Sequence, residues 1–291
     1  MDNQLSSMVV LLEDRDPIAS KRVLQKILTR GESVLVELDR LCHEEPVPER
    51  RQRIQRHYPR ISRELTLVSL DRLARRQDDA SLMEGIYLIC RLLSPELKFE
   101  DLHHQIMLLA REFLLEINEQ RTGFENVQLF NHVFYQRIGF HLIEPQMQSL
   151  QGASIRQALS DKACNPAVMT VLYFLFARLA GLSLYPLSIS GGLMPAYVEK
   201  DQLLFYVNLA ANDATLMNEE ELRKFCRIWN INPDKEMYGL VAESEILVLY
   251  LEMLSGMYRH LSPKSQEAYW IDRALELFPG EEWYTEEEDD L

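Results

Sequence analysis

Cysteine is sparse in this chain and never paired in sequence. Its four cysteines, Cys42, Cys90, Cys164 and Cys226, lie far apart with no CxxC spacing, which excludes a disulfide framework or a zinc knuckle and fits reduced thiols. No charged start, apolar stretch and small-residue cleavage site occur together near the N-terminus. The expectation is therefore a cytoplasmic protein without a secretion signal. Long apolar runs are missing too: the longest uncharged one, "NPAVMTVLYFLFA", falls short of the roughly 20 residues a membrane span needs and reads as a buried helix. Basic residues are outnumbered, 31 against 45 acidic, for a formal net charge of -14. That balance excludes bulk electrostatic binding to nucleic acid or an anionic membrane. The single basic concentration, "PERRQRIQRHYPRISR", carries its arginines among apolar residues at helical spacing and reads as a solvated helix face. There is no glycine-rich phosphate loop, no G-x-S-x-G and no H-E-x-x-H, so no cofactor or metal is expected.

What the chain has in quantity is helical periodicity. It is 291 residues long and 47% hydrophobic, enough to bury a full core and more than one packed unit. Residues 5 to 42 show apolar spacings of three and four, with Asp16-Pro17 as a helix start and Gly31 as a stop. Their layout weakly resembles one HEAT-type helical hairpin, which needs neighbours to bury its face. Three amphipathic segments follow up to about residue 120, broken at "QDD" and "SPEL", then "FENVQLFNHVFYQRIGF" with Gly139 just past its end. A connector of mixed polarity leads to "CNPAVMTVLYFLFARLAGL", where Asn165 caps, Pro166 fits the first turn and Gly181 terminates. Beyond it, "LYPLSIS", "LMPAYVE" and "LLFYVNLA" read as a three-stranded antiparallel sheet. A helix capped by Asn218 comes next, then two more, of which the segment 244–261 is apolar around most of its circumference. The expected fold is mainly α with an α+β core. It divides into a HEAT-like helical region over 1–75, a domain over 76–235, C-terminal helices over 236–280 and an acidic tail over 281–291.

One buried helix followed by an antiparallel hairpin, with helices on both sides, is the core layout of transglutaminase-like and papain-like proteins. The strings "NPAVMTVLYFLFARLAGLSLYPLSISGGLMPAYV" and "FYVNLAANDATLMNEEEL" resemble the SirB-type N-terminal domain family, as do the two preceding helices. The resemblance covers roughly residues 80 to 230 and implies a cysteine at the helix N-terminus, with histidine and aspartate on neighbouring strands. Carried over residue by residue, it undercuts that chemistry. The family's "PGHFLVRY" becomes "SGGLMPAY", putting Gly192 where the histidine stands, and "FIDPF" becomes "YVNLA", putting Asn208 at the orienting aspartate. Cys164 lies just before the helix start and is the candidate nucleophile, its thiol favoured by the helix dipole if it points at the free N–H groups.

Other constellations carry less. His103 and His104 are adjacent and point about 100° apart on a helix, so they do not share one metal easily. His132 and His141, shortly before Cys164, are the remote candidates for a replacement base. Gly191-Gly192 reads as a turn or bulge, and Tyr173, Tyr185, Tyr197, Phe205 and Tyr206 as sheet packing with scope to line a groove. Three functions follow. The first is a non-catalytic transglutaminase-like protein that holds a protein or peptide partner in the degenerate cleft or on its helical surfaces. The second is a cysteine-dependent acyltransferase or peptidase using Cys164 and a displaced histidine. The third is homo-oligomerisation through residues 244–261.

Overall fold

The computed structural model describes residues 3–13, 16–76, 82–144, 149–210, 214–232 and 237–278. The expected break at "QDD" and the acidic tail lie outside the described residues. Among them, the architecture is mainly helical around one small sheet. Helices α1 (Asn3–Leu11), α2 (Pro17–Leu28) and α3 (Ser33–Glu44) pack along the first half of the long α4 (Pro48–Ala74). Then come α5 (Leu82–Leu93), α6 (Phe99–Leu114), and α7 (Gly123–Asn131), which runs on as a π-helical turn through Ile138. Short strands β1 (His141–Leu142) and β2 (Ala163–Cys164) bracket α8 (Ile155–Asp161) and pair in parallel. The centre is α9 (Pro166–Leu179), followed by strands β3 (Leu184–Ile189), β4 (Gly192–Glu199), β5 (Gln202–Asn208) and β6 (Thr215–Met217). Helix α10 (Glu219–Ile228), strand β7 (Met237–Leu240), α11 (Ser244–Leu261) and α12 (Gln266–Leu275) complete it.

Local chemistry sets most of these boundaries. Asp16 accepts the Ile18 N–H at 2.9 Å and Pro17 sits in the first turn of α2. Asn165 does the same for α9, accepting from Val168 N–H at 2.9 Å, and Gly181 closes that helix with φ +73°. Asn218 and Glu221 form a reciprocal capping box on α10. Gly139 ends the π-helical turn with φ +86°.

The sheet has order β6-β5-β4-β3-β7, antiparallel throughout. This is two strands more than the sequence announced. Strands of three and four residues at the edges have too little alternation to stand out, and their pairing is fixed by neighbours distant in sequence. Both hairpin loops take the two-residue form with positive φ at each central residue: Ser190 (46°) with Gly191 (73°), and Lys200 (50°) with Asp201 (60°). That turn matches the strand twist. Gly191 is thus a turn residue, while Gly192 begins β4 opposite Ile189.

Strand alternation then assigns two faces. Leu184, Tyr197, Phe205 and Val207 face the main core around α9, while Leu187, Ile189, Met194, Ala196 and Tyr206 form a smaller core with Leu222 and Cys226 of α10. Every side chain from Val168 to Ala177 is buried. The aromatics Phe113, Phe130, Phe134, Phe140, Phe176 and Tyr173 pack beside it with centroid separations from 4.6 Å upward. A separate core joins α1–α3 to Ile54, Ile61 and Leu65 of α4, whereas Leu67, Leu70 and Leu73 of the same helix belong to the main core. Among the described residues no helix is long and apolar enough to cross a membrane.

Candidate functional site

The first turn of α9 is where the expected chemistry would sit. Pro166 has no N–H, Asn165 takes that of Val168, and Met169 N–H bonds the Asn165 carbonyl at 2.9 Å. Of that turn, only the Ala167 N–H is left for a ligand. Cys164 immediately precedes the cap and is fully buried. Its backbone carbonyl accepts from Ile143 N–H at 3.0 Å, and strand β2 sets it in register with Leu142 of β1. Cys164 and Leu142 therefore share a face, turned into the main core. With no cation to offset it, burial pushes the Cys164 thiol up to about 12. The helix terminus thus leaves this thiol protonated at neutral pH, because its sulfur lies among apolar groups.

The histidines lie elsewhere. His141 is opposite Ala163, one position out of phase with Cys164, so its ring projects from the other face of the β1–β2 pair. That ring is exposed and its Nδ1 lies 3.0 Å from the Gly139 carbonyl. His132 is exposed on the π-helical turn and borders a different concavity, of about 540 Å³, with Phe124, Gln128 and Thr215. His103 is exposed on α6 and stacks on Phe99 at 5.4 Å, and the neighbouring His104 is exposed as well. None of the seven histidines borders the cleft at α9.

That cleft, about 220 Å³, opens between the first turns of α9 and the ends of β4 and β5. Its walls are Leu142, Pro166, Met169, Leu193, Pro195 and Val207, with Thr170 and Asn208 as polar members. Both polar groups are engaged. Thr170 donates its hydroxyl to the Pro166 carbonyl at 3.0 Å, and the Asn208 side-chain oxygen accepts the Ala210 N–H at 2.9 Å. Gly192 shares strand parity with Met194 and Ala196, whose side chains pack toward α10, whereas Leu193 and Pro195 look toward α9. A Cβ at Gly192 would meet the Ile189 carbonyl at an ordinary 3.6 Å. No steric demand therefore explains the glycine.

The aromatics are mostly packing. Tyr173 is fully buried and donates to Asn131 Oδ1 at 2.6 Å, Tyr197 stacks on Phe205 at 4.8 Å, and Tyr185 is 38% exposed on β3. Sequence reasoning missed the apolar wall of the cleft. Its signal is the shared strand parity of Leu193 and Pro195 on β4. Among the described residues no group of histidine, cysteine and carboxylate could hold a metal ion.

Residues 100–251, from the start of α6 to the middle of α11, match the family profile described as the transglutaminase-like superfamily. No curated protein and no solved structure gives a match.

Proposed function

Since the chain belongs to the transglutaminase-like superfamily, we propose that it is a non-catalytic member, of the SirB-type branch its segments resemble, that binds a protein or peptide partner. The observation that carries this reading is the burial of Cys164, which does not line the cleft and whose thiol is pushed up to about 12 by that burial. An acyl-transfer nucleophile needs a thiolate within reach of a base. Here the two candidate bases, His132 and His141, open onto other surfaces. The cleft itself is walled by aliphatic side chains and suits an apolar side chain of a bound segment. The oligomerisation reading has less support, because Ile246, Leu247, Tyr250, Leu251 and Leu254 of α11 are buried against the chain's own helices.

Two measurements test the proposal. Mass-spectrometric tracking of iodoacetamide labelling in the folded protein should show Cys164 reacting far more slowly than a free thiol. A peptide display library panned on the wild type should enrich apolar-anchored sequences that Leu193→Glu no longer retains. Rapid alkylation of Cys164, together with amide or ester turnover lost in Cys164→Ala, would establish the cysteine-dependent enzyme instead.

A further inference from the structure

A second concavity, of about 340 Å³, lies between the N-terminal helices and the core and shares no residue with the α9 cleft. Three aromatic rings wall it: Tyr58 of α4, Tyr87 of α5 and Phe99 at the start of α6. Tyr87 and Phe99 meet edge to face with centroids 5.3 Å apart, and Phe99 stays 37% exposed. Around the rings stand four carboxylates, Glu32, Asp39, Glu96 and Glu100. Burial first, and then Asp39, raises the Tyr58 phenol, with Glu96 adding to it. Burial likewise leads the rise at Tyr87, to which Glu32 and Glu100 contribute. Each of the two tyrosine rings therefore has two carboxylates in its field.

The chain already fills part of this setting with a cation of its own. Arg91 lies beneath the groove with its guanidinium 5.2 Å from the Tyr87 centroid and two bonds to Glu32, at 2.7 and 2.8 Å. Glu32 is thereby neutralised, and Lys98 is the other lining cation. Among the described residues, Asp39 reaches only exposed His43, at 3.7 Å, and Glu96 and Glu100 pair with no cation. Rings next to unpaired carboxylates attract an organic cation whose aliphatic stem can lie on them.

We propose that this groove holds a lysine or arginine side chain presented by an exposed basic segment of a partner protein. Charge complementarity selects that occupant: a chain of net charge -14 with an acidic rim repels anions, and the rings disfavour a bare hydrated ion. The proposal stands whether or not the α9 cleft binds anything.

The test uses the full chain and a fluorescein-labelled peptide of alternating lysine and serine, which carries no apolar anchor for the α9 cleft, read by fluorescence anisotropy. Binding should weaken at least tenfold in Phe99→Ala and in the Asp39→Asn/Glu96→Gln double variant. It should be unchanged in Ile228→Ser, an exposed position on α10 that lines neither concavity, and a glutamate-serine peptide should not bind. Equal binding by wild type and both groove variants overturns the proposal, as does equal binding of the acidic peptide. A dimer seen by light scattering that dissociates in the double variant also overturns it, by making a second copy the occupant.

Discussion

Cys90 and Cys164 each sit in apolar surroundings that push their thiols up to about 12. An unfolded chain releases such protons near pH 8.5, while the native protein holds them. The stability these thiols supply is thus complete below about pH 8 and declines toward about pH 12, by about 1.4 kcal/mol per pH unit for each thiol. Urea midpoints compared at about pH 7.5 and about pH 10 should fall in the wild type and fall less in Cys90→Ala/Cys164→Ala. A wild-type midpoint that does not move would contradict the burial on which the functional reading rests. That the isolated cysteines serve as small core residues is legible from their placement, but the direction in which Cys164 turns is not. A cysteine one residue before a helix cap can turn toward the cap or away from it, and the choice is made by pairing with Leu142, some 20 residues upstream. The caps themselves were legible, because Asp16-Pro17 and Asn165-Pro166 act on N–H groups two or three residues away.

At the scale of elements, α5 and α11 approach closely at Gly85, where an added Cβ would overlap both methyls of Leu247. Gly85→Ala should therefore destabilise by about 1–3 kcal/mol despite the better helix propensity of alanine, roughly 1 kcal/mol in its favour. The cost should shrink in a Leu247→Ala background, and a double-mutant cycle in urea measures the difference. Additivity would show that the two helices do not meet there. The long helices were visible from their apolar periodicity, and the three central strands from their β-branched and aromatic residues. The edge strands Thr215–Met217 and Met237–Leu240 were not, since three or four residues carry no period of their own.

Across the whole molecule, arginines that periodicity assigns to solvent instead fasten its parts. Arg63 is buried and donates its Nε to the Leu92 carbonyl at 2.8 Å, with Glu267 at 3.2 Å. Arg91 bonds Thr66 at 2.7 Å as well as Glu32. The side chain of Arg91 is 5% exposed and that of Glu32 is 51%, so the two ends of this tie are unequal. Glu32→Ala strands a buried guanidinium and should cost about 3 kcal/mol, whereas Arg91→Met leaves a carboxylate that water can solvate and should cost about half as much. Chemical denaturation that ranks the two the other way would refute this account. Light scattering should find a monomer, given that Ile246, Leu247, Tyr250, Leu251 and Leu254 of α11 are buried against its own chain.

Helix α4 has a final consequence for any attempt to express the pieces separately. Its Ile54, Ile61 and Leu65 close one core and its Leu67, Leu70 and Leu73 the other, like a wall between two rooms. A cut on either side of it leaves one room open, so the segment that carries the family resemblance is not a portable module. Produced alone, it should aggregate unless α4 and α5 travel with it.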